Sequence, residues 1–357
     1  MVQQEERLSL LITTTLELSA SFENAISTTP EQASMTKEDN NAQPLPLLST
    51  ASSALKAQVT KLSLFAINTP FTPSALNTVL APVNDSILPS LVTATLLITP
   101  NAYTKAFCGE ARILTRTVLK DLVKLILEVK ATAETKKKKG EKEEELSQSE
   151  KDAVTIATGH MWDSCDAVIK LAEDGVMGFL SRRVEEWRNL VRDAIEEIED
   201  WDPDEEDDFF GLDDDDGDTA SSTDEDRGDT AALHEQKKST IRVLKSIAQI
   251  FPAIAANRLR NQPCPSSVPT LESLMLHLQD ITGDADEAAG ALYEGSTANS
   301  SGYLKKAKNR ATDAIKLVVL PWQVDGERPR ESGDKFTVWA RTWLKVIDDM
   351  VDDAAKQ

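Results

Sequence analysis

The residues with acid–base potential are concentrated in a carboxylate-rich segment, residues 202–229. Fifteen Asp and Glu stand against the single Arg227, so the segment carries −14 of the net charge of −21. Acid–base catalysis needs a desolvated carboxyl group beside a solvated one, which a hydrated string of acids does not supply. A calcium loop also fails, because placing Gly217 at the invariant glycine puts Leu212 and Thr223 at ligand positions.

The histidines and cysteines likewise give no indication of a catalytic or metal site. His160, His234 and His277 each stand alone, and no zinc motif, phosphate-binding glycine loop or nucleophile elbow occurs. Three widely spaced cysteines are typical of reduced thiols in the cytoplasm or nucleus, where we expect the protein. We predict no catalytic, cofactor-binding or metal-binding residue, and a protein that is not an enzyme. An enzyme with an unrecognised helical site would need a pocket of perturbed carboxylates or a histidine pair.

The acidic segment contains three candidate phosphorylation sites. Ser221, Ser222 and Thr223 each have an acid three residues downstream, the pattern favoured by acidophilic kinases such as casein kinase 2. Phosphate would add about −1.5 to −2 charges per site. The alternative is that they are ordinary solubilising residues of an acidic linker.

Charge and length together predict the domain organisation. Like charges in a segment poor in apolar residues cannot offset their ordering entropy, so residues 202–229 are predicted to be a disordered linker. The chain of 357 residues also exceeds the roughly 250–300 at which single cores stop growing. We therefore predict an N-terminal helical bundle at 1–201 and a C-terminal helical domain at 230–357.

Apolar residues recur with helical spacing in block after block, which predicts an all-α fold of two bundles. Pro82 and Pro89 should kink or divide the third helix. The last helix carries an aromatic edge, Phe336, Trp339 and Trp343, that should pack on other helices. The helices are predicted at about 5–27, 47–68, 73 onward, 102–132, 147–171, 176–200, 230–257, 270 onward and 302–320, with a last helix around 336–350.

The helix predicted at 176–200 has the most regular apolar stripe. Its members alternate steps of three and four residues, which keeps one seam facing a neighbouring helix. The stripe is either a closed core or an open groove, and its residues are our candidates for partner binding. The candidates are Leu180, Val184, Trp187, Val191 and Ile198, and Ala194 completes the stripe between the last two.

Two partner classes are disfavoured by the sequence. The most apolar window, Ile87 to Ile98, is too short to span a bilayer and contains Pro89. A chain with net charge −21 repels phosphate backbones, so direct nucleic-acid binding is not expected. The oligomeric state is left open.

Residues 158–166 carry a family resemblance. They read Thr-Gly-His-Met-Trp-Asp-Ser-Cys-Asp and resemble the Thr-Gly-x-x-Trp-x-x-Cys-Asp signature of the cyclin-D-binding GCIP family, also called Maid. The Lys-x-Ser-Leu-Phe order at 61–65 and the acidic helix end at 193–200 are similar too. Trp162, Cys165 and Ile169 share a helix face, and we interpret them as core residues.

The resemblance implies helical proteins that bind cyclin D and adaptor proteins and restrain helix-loop-helix transcription factors. It places a helix-loop-helix-like region, lacking the basic DNA-contacting segment, at 149–200, for which an ordinary αα-hairpin is the alternative. The function it suggests is regulation of cell-cycle or transcription partners through helix-face binding, without catalysis. The alternative function is an acidic chaperone or decoy for basic proteins such as histones, driven by residues 202–229. Salt would separate the two, because charge-driven binding is lost as ionic strength rises.

Overall fold

The computed structural model describes residues 2–28, 43–139, 146–204, 224–260, 267–322 and 333–354. Helices account for nearly all of these ranges and no strand occurs within them, which confirms the all-α prediction. The helices are α1 Val2–Thr28, α2 Pro44–Ile67, α3 Pro73–Pro82, α4 Leu88–Leu97, α5 Lys105–Lys139, α6 Gln148–Asp200, α7 Asp224–Ala248, α8 Ile250–Ile254, α9 Val268–Tyr293, α10 Thr297–Val318 and α11 Lys335–Ala354.

The chain divides into two compact units, Met1–Val176 and Met177–Gln357. The boundary between these units falls within α6. The predicted organisation into a bundle at 1–201, a linker and a domain at 230–357 stays a prediction. Beside the boundary, Gly175 has φ 59° and ψ −167°, a conformation that glycine adopts without the steric cost of a Cβ atom. The helix break predicted between 171 and 176 is therefore present as a kink at one residue.

Unit 1 is built from α1 to α5 and the first arm of α6. Helix α1 packs on α3 and α5, and α2 packs on α3 and α4. A π-helical turn, Val83–Ile87, joins α3 to α4, so the chain is distorted next to Pro82 as predicted. Leu55, Leu80 and Leu122 are completely buried in the core of this unit.

Unit 2 contains the second arm of α6 together with α7 to α11. Helices α9 and α10 pack extensively on each other and are joined by a short turn in which Gly295 has φ 71°. Helix α7 packs on α9, α10 and α11. On α11, Phe336 and Trp343 are buried, and the Trp343 indole N–H donates to the Ser246 carbonyl at 3.0 Å. The aromatic edge of α11 therefore packs on a neighbouring helix, as predicted.

The acidic segment is described only at its two ends. Residues 205–223 lie outside the described residues, whereas α7 begins at Asp224, six residues before the predicted helix start at Thr230. The separation of two helical parts by this segment is consistent with the predicted linker. Its last acidic residues stand near the N-terminus of α7, where negative charge is favourable.

Candidate functional site

The apolar stripe of α6 is buried, and its residues belong to unit 2. Its candidate residues are Leu180, Val184, Trp187, Val191 and Ile198, all buried, with Trp187 the most exposed at 8%. Near the end of α6, the Lys237 ammonium donates to the carbonyls of Glu199 and Trp201, which ties the helix to α7. The burial of the stripe residues favours the closed-core alternative, and their role in partner binding stays a prediction. These side chains are not presented as an open groove.

The candidate phosphorylation sites Ser221, Ser222 and Thr223 lie outside the described residues. They stay a prediction.

The two segments that carry the family resemblance lie side by side in unit 1. The hydroxyls of Ser63 on α2 and Thr158 on α6 share a hydrogen bond of 2.5 Å. One turn further along each helix, the Trp162 indole N–H donates to the Thr60 hydroxyl at 2.9 Å. The Thr60 hydroxyl donates in turn to a backbone carbonyl, so it is free to accept from the indole. Residue numbers rise on α2 as they fall on α6, so the helices run antiparallel here.

An ion pair continues this row of contacts between α2 and α6, which we call the α2/α6 seam. The Lys56 ammonium lies 2.6 Å from both carboxylate oxygens of Asp166. Both side chains are solvent-accessible, so the pair contributes about 0–1 kcal/mol to stability and serves mainly to fix the register of the helices. None of these polar contacts could be read from the sequence, because their partners are about a hundred residues apart.

Trp162 is not the core residue that we predicted. It is 40% exposed, whereas Met161 and Cys165 beside it are completely buried. Trp162 is 60° from Cys165 around an ideal helix, so the indole lies at the edge of the buried face of α6 that contains Cys165. At this position the indole N–H donates a hydrogen bond to the Thr60 hydroxyl. A fully apolar core would provide no such acceptor.

Two exposed apolar side chains of α2 are close in sequence to Thr60, the partner of the Trp162 indole. Leu64 follows Thr60 by one helical turn on the same side of α2, whereas Phe65 is about 140° away from Thr60 around the helix. They are 49% and 42% exposed. We name Leu64 and Trp162 the α2/α6 patch. Aromatic and large aliphatic side chains held at the surface by a rigid frame are typical of protein-interaction sites.

Cys165 lies directly beneath this patch as an inert thiol. Burial, together with the negative charge of Asp166, raises its pKa to about 12. A thiol with so high a pKa is protonated at neutral pH and is neither a nucleophile nor a ready metal ligand. Its role in the α6 core is packing.

A cluster missed by sequence reasoning joins the end of α6 to α7. Single ligand atoms of Asp202, Asp204 and His234 lie within 4.8 Å of one another. His234 Nε2 lies 3.1 Å from an Asp204 carboxylate oxygen, so this hydrogen bond already satisfies two of the three groups. The side chains lie at the surface, and the arrangement is explained as a contact that fastens residues 202–204 to α7. His234 was interpreted as an isolated histidine because its partners precede it by 30 residues or more.

One stretch of the described chain, Pro73–Leu97, is long and apolar enough to cross a membrane. Half of its most apolar window is buried in the protein, and Leu80 and Leu91 within it are completely buried. The core helices of folded proteins pass the same test of length and composition.

Comparison with known proteins identifies the region of the chain that contains α2 and α6. A search of curated proteins found no match. Residues 47–204 match the family model GCIP_N, described as "Grap2 and cyclin-D-interacting, N-terminal". The match includes both helices of the α2/α6 patch and continues through the kink at Gly175 to the end of α6. The resemblance inferred from residues 158–166 is thereby confirmed over residues 47–204, which match the N-terminal domain model of the Grap2 and cyclin-D-interacting family.

Proposed function

We propose that this protein regulates cell-cycle partners by binding them without catalysis, and that a D-type cyclin docks on the α2/α6 patch. The observation that carries the proposal is the placement of Trp162. Its indole is 40% exposed and is fixed by a hydrogen bond to Thr60, at the point where both family segments meet. The family description supplies the partner class.

The patch has the composition of an interaction hot spot. Tryptophan is the residue most enriched among side chains that dominate binding energy. The seam beneath the patch holds it in place, so little conformational entropy is lost when a partner binds. Burial of apolar surface at this patch would contribute about 25 cal/mol per Å².

Helix-loop-helix factors are a second partner class that the resemblance supports. The region that corresponds to the family's helix-loop-helix-like segment, 149–200, is a helix with a single non-helical residue, Gly175, and has no connecting loop. We therefore propose that such factors are restrained through an exposed surface of this helical region, and not by imitation of a helix-loop-helix dimer. The proposed site of action is the nucleus and cytoplasm, which localisation of a fluorescently tagged chain would test.

The test is capture of a purified D-type cyclin by the full chain and by matched variants. Trp162→Ala and Leu64→Asp should each weaken capture at least tenfold. Leu64→Asp should leave the melting temperature nearly unchanged, whereas Trp162→Ala should lower it modestly, because it also loses the hydrogen bond to Thr60. Trp162→Phe keeps an aromatic ring but loses the N–H donor, and should retain part of the binding. The control is Ile113→Ala, an exposed apolar residue of α5 in the same unit.

Two outcomes would contradict the proposal. Undiminished capture by both patch variants would remove the α2/α6 patch from cyclin binding. Capture by wild type that disappears between low and moderate salt would favour the acidic segment and the histone-decoy alternative, because binding to an apolar patch persists as salt rises.

A further inference from the structure

A groove runs along unit 2 between α7 and α11. Its volume is about 290 Å³, just below the roughly 300–1,000 Å³ typical of small-molecule pockets. Helix α7 contributes a polar wall and α11 an apolar wall. The lining residues that matter for recognition are Arg242, Lys245, Trp339, Trp343, Val346 and Met350.

The α11 wall is aromatic and partly open. The rings of Trp339 and Trp343 lie 6.5 Å apart with nearly parallel planes. Trp343 is buried and fixed by its hydrogen bond to α7, whereas Trp339 is half-buried and Val346 is 41% exposed. The lining residues of α11 extend from Trp339 to Met350, eleven residues or about 16 Å along the helix axis. The wall therefore offers a rigid apolar surface three helical turns long.

The α7 wall is basic, although the chain carries a net charge of −21. Lys245 already pairs with a carboxylate of this chain, Glu199 on α6. Arg242, one turn earlier on α7, is exposed, and no described carboxylate lies within 4.0 Å of its guanidinium. The groove thus combines an apolar floor with a cationic rim, one of whose two charges already binds a carboxylate.

This combination selects one kind of occupant. An amphipathic helix lays apolar side chains spaced i, i+3, i+4 and i+7 into such a groove. Carboxylates flanking those anchors would meet Arg242 in a two-point contact that its planar guanidinium favours. A basic helix would be repelled by the rim, and an uncharged one would leave the guanidinium without a counter-charge.

We infer that the α7/α11 groove is a docking site for an acidic amphipathic helix of a partner protein. Its carboxylates contact Arg242, beside the pair that Lys245 forms with Glu199, and its bulky apolar anchor packs on Trp339 and Val346. The site belongs to unit 2 and lies outside the residues matched by the family model. It is therefore independent of the proposed cyclin contact on α2 and α6.

The probe is a fluorescein-labelled synthetic helix of about 14 residues, with Leu or Phe at i, i+3, i+4 and i+7 and Glu at most other positions. Fluorescence anisotropy with the full chain should show saturable binding. A second probe, with Lys in place of every Glu, should bind at least tenfold more weakly. Binding of the two probes with equal affinity would overturn the inference, as would no binding of the acidic probe.

Matched variants locate the binding. Val346→Asp and Arg242→Glu should each weaken the acidic probe at least tenfold, and both side chains are exposed enough for the fold to survive, as circular dichroism would show. The controls are Val338→Asp, a 66% exposed valine of α11 outside the groove, and Lys305→Glu on α10. Both controls should bind as wild type. Unchanged binding by Val346→Asp and Arg242→Glu would overturn the site.

Two further outcomes assign the groove to a different occupant. If the probe binds only after residues 205–223 are deleted, the acidic segment of this chain fills the groove and the partner helix is wrong. If sedimentation shows a dimer that Val346→Asp converts to a monomer, the occupant is a second copy of the chain. Monomeric wild type that binds the acidic probe directly supports the inference.

Discussion

Arg258 and Asp334, 76 residues apart in the chain, form a two-point ion pair with nitrogen–oxygen distances of 2.7 and 3.0 Å. The Arg258 side chain is buried, and it also donates to the carbonyls of Val318 and Val319. Its guanidinium carbon lies 4.2 Å from the centre of the Phe336 ring. One buried cation therefore fastens the end of α10 to the start of α11, the helix that forms the apolar wall of the groove.

Removal of this cation should unfold unit 2 more easily. Arg258→Ala removes the ion pair with Asp334 and the hydrogen bonds to the carbonyls of Val318 and Val319. Because Asp334 is 43% exposed and still accepts from Thr337, the loss should be about 1–3 kcal/mol. Urea unfolding monitored by tryptophan fluorescence would measure the change. The control is Asp313→Ala, which breaks the exposed pair with Lys316 and should change stability by about 0.5 kcal/mol or less. A loss no larger than that of the control would show that Arg258 does not fasten α11.

The same pair should make stability depend on acid pH. The hydrogen bond from Arg258 lowers the pKa of Asp334 far below its usual range. A carboxyl group whose folded pKa is depressed stabilises the protein above its unfolded pKa, about 3.9, and this contribution is lost as pH falls through the folded pKa. The stability difference between wild type and Asp334→Asn should therefore be constant from pH 5 to 7 and shrink below about pH 4. A difference that grows on acidification would contradict this assignment.

The stripe of α6 yields a third prediction, because its burial favours a closed core over a partner groove. Trp187 is 8% exposed, so Trp187→Ala should destabilise unit 2 by about 3–5 kcal/mol through lost packing and a cavity. Leu190→Ala on the same arm is the matched control, since Leu190 is 50% exposed and should change stability by about 0.5 kcal/mol or less. If Trp187→Ala keeps the wild-type melting curve but fails to capture a partner, the stripe is a binding surface after all.

Periodicity predicted the helices well because it reports which face of a helix is buried. It placed the break near Gly175 and the distortion at Pro82. It could not say what covers a buried face, so the α6 stripe remained either core or partner groove until its neighbours were known. It also misplaced Trp162, whose direction differs from that of Cys165 by only 60° around the helix.

The contacts that build the candidate sites had no signal in the sequence. The hydrogen bond between Thr60 and Trp162 and the ion pair of Arg258 with Asp334 join residues separated by 102 and 76 positions. Each residue alone is an ordinary surface or helix residue. The short family motif at 158–166 did point to the part of α6 that contacts α2, because a motif specifies residue types at fixed spacing. No such motif covers the groove of α7 and α11.

Cys165 provides the last prediction, which reports on the packing beneath the α2/α6 patch. Burial raises the pKa of its thiol to about 12, against about 8.5 for an unfolded cysteine. A group whose folded pKa is raised contributes stability below the unfolded pKa, and that contribution is lost as pH rises toward the folded value. In a Cys264→Ser background, wild-type stability should therefore fall between about pH 8.5 and 11 more steeply than that of Cys165→Ala. Mass spectrometry should also show that iodoacetamide at pH 8 modifies Cys165 only when urea unfolds the chain, because the thiol is completely inaccessible in the fold. Rapid alkylation of Cys165 in the native protein would mean that α6 separates from the core of unit 1 on the time scale of the reaction, and the rigid frame proposed for Trp162 would then be wrong.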